Sequence, residues 1–212
     1  MSDKKVLIVG EGVNKNYYRP FSQFGEDAYE SELLWEKPWS IELVVFTGGA
    51  DVSPSLYGQE AAAGTLTAPK RDIFEHIVFT KARSLGLKMA GICRGAQFLN
   101  VMAGGTLIQH LDGHGFYHSM TTINDRNFEV SSTHHQMIVP PEDSVLVGWS
   151  TKRRSNIYLG EGNKHLPIPE KETEVVFWPK IKAVGMQYHP EMMSEHSEGF
   201  RYAAELVEKY LK

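Results

Sequence analysis

The chain has 212 residues, a length that suits one large domain better than two, with a core that needs no disulfide or metal. With 42% hydrophobic and 23% charged residues it has the composition of an ordinary globular protein, and 22 Lys and Arg against 26 Asp and Glu leave a formal net charge of −4. That balance speaks against a nucleic-acid partner, which needs a basic face; the one basic cluster, Lys152-Arg153-Arg154, reads as a solvated turn.

In chain order, Met1-Ser2-Asp3-Lys4-Lys5 leads straight into Val6-Leu7-Ile8-Val9, a short apolar run that ends at Gly10 and fits a buried parallel strand. The turn after it, Gly10-Glu11-Gly12, lacks the third glycine of a dinucleotide loop, and no Gly-Lys-Ser/Thr motif occurs, so no nucleotide cofactor is expected. Leu43-Val44-Val45-Phe46 is a second buried run, stopped by Gly48-Gly49. From Asp72 onward Ile73, Phe74, Ile77, Val78, Ala82 and Leu85 recur at helical spacing, with Gly86 as the stop. Lys88 to Ile92 reads as the next strand and Ala96 to Met102 as the helix after it.

This alternation predicts a three-layer α/β domain over residues 1–212, with helices around a mostly parallel sheet. The second half is richer in strands: Glu174 to Trp178 and Lys182 to Tyr188, joined by Pro179-Lys180, predict a hairpin. Gly160 to Thr173 is a surface loop, and a final amphipathic helix presents Phe200, Ala203, Ala204, Val207 and Leu211 on one face. No apolar segment approaches the length of a signal-peptide core or a membrane span, and the single cysteine, Cys93, permits no intramolecular disulfide. A reducing cytoplasm is the expected location.

The surroundings of that cysteine carry the chemistry. Gly91-Ile92-Cys93-Arg94-Gly95 has the Gly-x-nucleophile-x-Gly spacing of a nucleophile elbow, with Cys where hydrolases often carry Ser. A sharp strand-to-helix turn pushes the side chain out at the sheet edge, and glycines on either side remove Cβ atoms that would clash. The thiol then sits at a helix N-terminus, where unpaired N–H groups and the helix dipole favour a thiolate and can hold an oxyanion. Near the end of the chain, His189-Pro190-Glu191 puts a base and an acid two residues apart in an extended segment, hence on one side. Cys93, His189 and Glu191 in this order form the candidate triad; in ordinary α/β-hydrolases the acid precedes the histidine.

At these residues the sequence resembles the class I glutamine amidotransferases, and within them the γ-glutamyl hydrolase branch that includes γ-glutamyl-γ-aminobutyrate hydrolases. The resemblance extends to Thr47-Gly48-Gly49-Ala50-Asp51-Val52-Ser53-Pro54, to Arg71-Asp72 with Glu75, to Leu99-Asn100-Val101 with Gly104-Gly105-Thr106-Leu107, and to Ser132-Thr133-His134-His135-Gln136. It implies a flavodoxin-like fold and an oxyanion hole formed by the backbone N–H groups of Gly49 and Arg94. It also implies that Gln97 and the Thr133-His134 backbone, on a strand lining the pocket, bind a small γ-glutamyl substrate. The implied reaction is hydrolysis of a γ-glutamyl amide; the alternatives are a glutaminase subunit feeding ammonia to a separate synthetase partner, and a noncatalytic module on the same fold. The segment before the Gly-Gly loop is short for the branch, and His110 stands where an acidic residue is expected, which leaves the leaving amine open.

Nine histidines, among them His110, His114, His118, His134 and His135, raise the question of a metal. Their spacing is loop-like, without a Cys pair or a helical His-x-x-x-His, so they read as solvated or pocket-lining and no metal is expected.

Overall fold

Burial of the short apolar runs organises the chain. The structure, a computed structural model, describes residues 4–11 and 15–212; Met1 to Asp3 and the Gly12 of the Gly10-Glu11-Gly12 turn lie outside the described residues. The first half runs β1 (Lys5–Val9), β2 (Glu26–Ala28), α1 (Leu33–Glu36), β3 (Ile41–Phe46), α2 (Pro69–Ser84), β4 (Lys88–Ile92) and α3 (Arg94–Met102). The second half runs β5 (Thr106–Ile108), β6 (His110–Leu111), β7 (His118–Thr122), β8 (Asn127–Val130), β9 (Met137–Val139), β10 (Val145–Ser150), β11 (Tyr158–Leu159), β12 (Thr173–Trp178), β13 (Ala183–Met186) and α4 (Glu198–Tyr210).

Among the described residues, nine strands form the central sheet in the order β2-β1-β3-β4-β13-β12-β10-β7-β8. From β2 to β13 the pairings are parallel, and from β13 to β8 they are antiparallel. The predicted hairpin is present as β12 and β13, with Val175 opposite Met186 and Trp178 opposite Ala183. The parallel strands are buried on both faces, which is why they read as continuous apolar runs rather than alternating ones. Leu7, Val44, Phe46 and Met89 pack with α2 and α3 on one side, while Val6, Ile8, Leu43, Val45 and Ile92 pack with α4 on the other. The Ser197 side chain caps α4 by accepting the Phe200 N–H, fixing where that helix starts.

Helix α2 corrects the sequence reading of its face. It begins at Pro69, and Arg71, Asp72 and Glu75 are 6%, 3% and 0% exposed, whereas the apolar Ile73, Phe74 and Ile77 are 65%, 40% and 53% exposed. Only Val78 and Ala82 of the predicted apolar stripe turn inward, joined by Phe79. Full burial of an aliphatic side chain stabilises by about 1.5–3 kcal/mol. The helix forgoes part of that at three positions, so the buried charges must be held by partners strong enough to set its rotation.

Candidate active site

β3, β4 and β13 lie side by side in the parallel part of the sheet, and each releases one segment at its carboxyl end: Thr47-Gly48-Gly49, Cys93, and Gln187 to Glu191. Ligands of open α/β sheets bind at such strand ends.

The elbow has the conformation its sequence predicts. Cys93 adopts φ 49° and ψ −111° between β4 and α3, a strained geometry for a residue with a Cβ. Its N–H donates to the Met186 carbonyl at 2.7 Å, and its own carbonyl accepts the Gln97 N–H at 3.0 Å, so neighbouring strand and helix both hold the turn. A Cβ on Gly91 would lie 2.6 Å from the Ala96 nitrogen, and one on Gly95 would collide with the Phe46 carbonyl.

His189 and Glu191 meet as their spacing predicts. His189 Nδ1 lies 2.6 Å from Glu191 Oε1, with both side chains buried. The histidine backbone is fixed in turn by Ser131, whose carbonyl accepts its N–H at 3.0 Å and whose hydroxyl donates to its carbonyl. On the far side of the ring, Nε2 is 2.8 Å from Thr133 Oγ1. Burial disfavours the imidazolium, but the adjacent Cys93 and Glu191 outweigh it and raise the His189 pKa to about 10. The imidazole faces Cys93, and the two neighbours together favour its protonated form.

The Gly-Gly loop is set by a buried arginine. Arg71 Nη1 and Nη2 donate to the carbonyls of Gly48 and Thr47, each at 2.9 Å, and Nε donates to Glu75 Oε1 at 2.7 Å. Arg94, beside Cys93, pairs with Glu75 Oε2 and Asp72 Oδ1, and its Nε donates to the Ala50 carbonyl at 3.0 Å. Asp72 also accepts from the Ser53 hydroxyl. These are the partners that rotate α2: two guanidinium groups and two carboxylates neutralise one another and tie helix, loop and elbow together. Gly49 has φ 143°, and a Cβ there would strike Arg71 Nη1.

Other expected residues are distributed less simply. Gln97 is buried, not on the helix surface, and its Nε2 donates to the Gln136 carbonyl at 3.2 Å. Residues Ser132 to Gln136 form a loop between β8 and β9, not a strand, because the backbone turns to send alternate side chains to different places. Thr133 reaches His189, His134 enters the interior, and His135 Nε2 lies 3.0 Å from Asp51 Oδ1. His114, His118 and His134 are buried within the protein, correcting the expectation of solvated rings at these three positions. Sequence reasoning also missed Tyr17, whose hydroxyl reaches the Gly48 backbone and whose pKa burial, with Glu191 and Cys93, raises to about 12. No periodicity or motif surrounds Tyr17, so nothing local marks it.

With this geometry in place, comparison with known proteins is informative. The Peptidase C26 family profile matches residues 36–158, more than half of the chain. This chain belongs to the Peptidase C26 family. The matched span contains the Gly-Gly loop, Cys93 and Thr133, and ends before His189. This family member is 47% identical over 73 residues to a protein of Mycobacterium tuberculosis provisionally named a glutamine amidotransferase, covering 34% of this chain and 24% of that one. A glutamine amidotransferase-like protein of Lactococcus lactis subsp. cremoris is 49% identical over 73 residues, 34% of this chain and 38% of the relative. These matches thus span between about a quarter and two fifths of the curated relatives' lengths. Among solved structures, PurLQS of Thermotoga maritima superposes with a TM-score of 0.63 at 19% identity, covering 100% of each chain. A glutamine amidotransferase of the same organism gives 0.61 at 16% identity, covering 100% of this chain and 87% of that one. At such identities the likeness is one of fold, the flavodoxin-like α/β fold of the glutamine amidotransferases.

Proposed function

We propose that this Peptidase C26 member hydrolyses a γ-glutamyl amide bond, releasing glutamate and an amine, with Cys93, His189 and Glu191 as its catalytic residues. The observation that carries this reading is the convergence of a strained cysteine, an imidazole and the carboxylate bonded to it at the ends of adjacent parallel strands. The Cys93 thiolate attacks the γ-carbonyl carbon, and the oxyanion that forms is held by the Gly49 and Arg94 N–H groups. Collapse breaks the C–N bond as the His189 imidazolium passes its proton to the departing amine. A water molecule, giving a proton to the now neutral imidazole, attacks the thioester; the C–S bond breaks, freeing glutamate and restoring thiolate and imidazolium. Gln97 and the Thr133-His134 backbone contribute to substrate binding in this reading, and a reducing cytoplasm suits the lone thiol.

A glutaminase component working with a synthetase is the second reading, and a surface feature favours it. Ile73 and Ile77 of α2 line a groove of about 390 Å³ with Ser53, Leu56, Pro69 and His76, on the helix that also supports the Gly-Gly loop. Another similar structure, from Thermoplasma acidophilum, is described as one component of a GMP synthase; it has a TM-score of 0.58 at 14% identity and covers 98% of this chain and 97% of that one.

Mass spectrometry of products from a panel of γ-glutamyl amines and glutamine separates the readings. The chain alone should show a higher kcat/KM for a γ-glutamyl amine than for glutamine, because the leaving group adds binding energy in the transition state. Negligible glutamine turnover that rises strongly with native-host lysate, with no γ-glutamyl amine accepted, favours the second reading. Absence of turnover on every compound, with no labelling of Cys93 by a γ-glutamyl electrophile, leaves only the noncatalytic module.

A further inference from the structure

Behind the candidate active site, three segments far apart in sequence bring histidines and glutamates together in the interior. His114, His118, His134, Glu172 and Glu174 are each at least 96% buried, and Glu174 is completely so. Such a density of ionisable groups is costly unless charge is matched and every lone pair has a partner. Among the described residues, His114 Nδ1 and Nε2, His134 Nε2 and Glu174 Oε2 have no hydrogen-bond partner.

The contacts explain why. His134 Nδ1 is 2.9 Å from the Gln136 carbonyl, which can only accept, so this nitrogen carries the hydrogen. In the neutral ring Nε2 then presents a lone pair, and it faces Glu174 Oε1, itself an acceptor, at 3.5 Å. His114 Nδ1 approaches the same oxygen to 3.2 Å, too far off line for a hydrogen bond. Lone pairs that converge without bonding each other are satisfied by a positive charge between them, either a metal ion or the proton that Glu172 and Glu174 favour on His114. In a tetrahedral site with bonds of about 2.0–2.1 Å, adjacent donor atoms lie about 3.3–3.4 Å apart. The separations of 3.2 and 3.5 Å bracket that value.

The donors are also backed as metal ligands are. Glu172 Oε2 lies 3.2 Å from the other nitrogen of His114, out of line for a hydrogen bond but close enough to pair with the ring by charge. The Gln136 carbonyl accepts from His134 Nδ1, and His118 Nε2, 2.8 Å from Glu174 Oε1, holds the carboxylate. One ligand atom from each of His114, His134 and Glu174 falls within 4.8 Å of the others.

We propose that His114, His134 and Glu174 bind a zinc-like divalent transition metal, positioned by Glu172, Gln136 and His118. Two nitrogens and one carboxylate oxygen suit zinc or a related borderline ion, not calcium or magnesium. The site is closed to solvent, so its role is structural. It ties the turn before β7 and the 131–136 loop to β12, and the neighbouring residue in that loop, Thr133, touches His189. The metal thereby anchors the segment that holds the candidate base.

The test uses the full chain, stripped with a chelator and titrated with zinc and with cobalt(II), alongside Cys93→Ala. Wild type should take up about one equivalent, with a rise in Tm, and the cobalt form should show tetrahedral ligand-field bands without thiolate-to-cobalt charge transfer. Cys93→Ala should bind the same equivalent. His134→Gln and Glu174→Gln should lose most of the uptake, whereas His118→Gln, behind the carboxylate, should bind about 10–100-fold more weakly. No uptake and no change in Tm by wild type would mean that the cluster holds only protons, and loss of binding in Cys93→Ala would put the metal on the thiol; either overturns the proposal even if the His134 and Glu174 variants fail to fold.

Discussion

Thr133 Oγ1 lies 2.8 Å from His189 Nε2, on the side of the ring opposite the Glu191 carboxylate. With the imidazole protonated, Nε2–H donates to the hydroxyl while Nδ1–H donates to Glu191, so the ring is gripped at both nitrogens. A hydrogen bond to a charged group contributes about 1.5–3 kcal/mol, roughly one to two powers of ten in rate. Thr133→Val should therefore lower kcat about 10–100-fold in steady-state assays on a γ-glutamyl amine, and Thr133→Ser should restore most of it. Equal losses in both variants would assign Thr133 to packing.

The His189 pKa sets an alkaline limit. Burial works against the proton, but Cys93 and Glu191 raise the pKa from the ordinary 6.5 to about 10. Activity that needs the imidazolium should hold through neutral pH and fall as pH rises through about 10. Glu191→Gln removes one of the raising groups and should draw that limb to lower pH, with a smaller loss of kcat than His189→Ala. Stability follows the same sign. The folded pKa lies above the unfolded one, so the contribution of this group is complete below about 6.5 and is lost as pH climbs through 10. Denaturation of wild type and His189→Ala across that range checks it.

Gly49→Ala tests the loop through its backbone. The substitution adds a Cβ at φ 143° that strikes Arg71 Nη1, so either loop or guanidinium must move. Loss of one oxyanion donor typically costs about 10²–10³ in kcat. The expected signature is a fall in kcat of that order with little change in KM, while thermal unfolding shows the chain still folded.

Glu75 is the hinge of the charge network, because it pairs with Arg71 through one oxygen and with Arg94 through the other. Removing one partner of a buried ion pair strands the rest and costs about 3–5 kcal/mol. Glu75→Ala should lower the unfolding free energy by that amount, read as a lower urea midpoint with an unchanged m-value. Glu75→Gln keeps the shape but not the charge, and should recover only part of the loss.

The elbow and the His189–Glu191 pair were legible because their signals are local. Gly91-Ile92-Cys93-Arg94-Gly95 dictates its own turn, since a Cβ at either glycine meets backbone, and the two-residue spacing of His189 and Glu191 suffices to bring imidazole and carboxylate together. Apolar runs too short for helices likewise marked β1, β3 and β4 as buried strands. What the sequence left undecided depended on partners from elsewhere in the chain. The rotation of α2 reverses its apparent amphipathicity because Arg94, from the elbow, pulls Asp72 and Glu75 inward at the expense of Ile73 and Ile77. The histidines at 114, 118 and 134 looked like loop residues because the carboxylate that gathers them, Glu174, lies 40 residues beyond the last of them, on a strand whose apolar neighbours conceal it. Thr133 gained its place beside His189 only when the segment after β8 met the segment after β13, where Ser131 clasps the histidine backbone. Periodicity reports what a segment prefers alone; a buried charge is stable only beside its counter-charge, and tertiary structure decides where that lies.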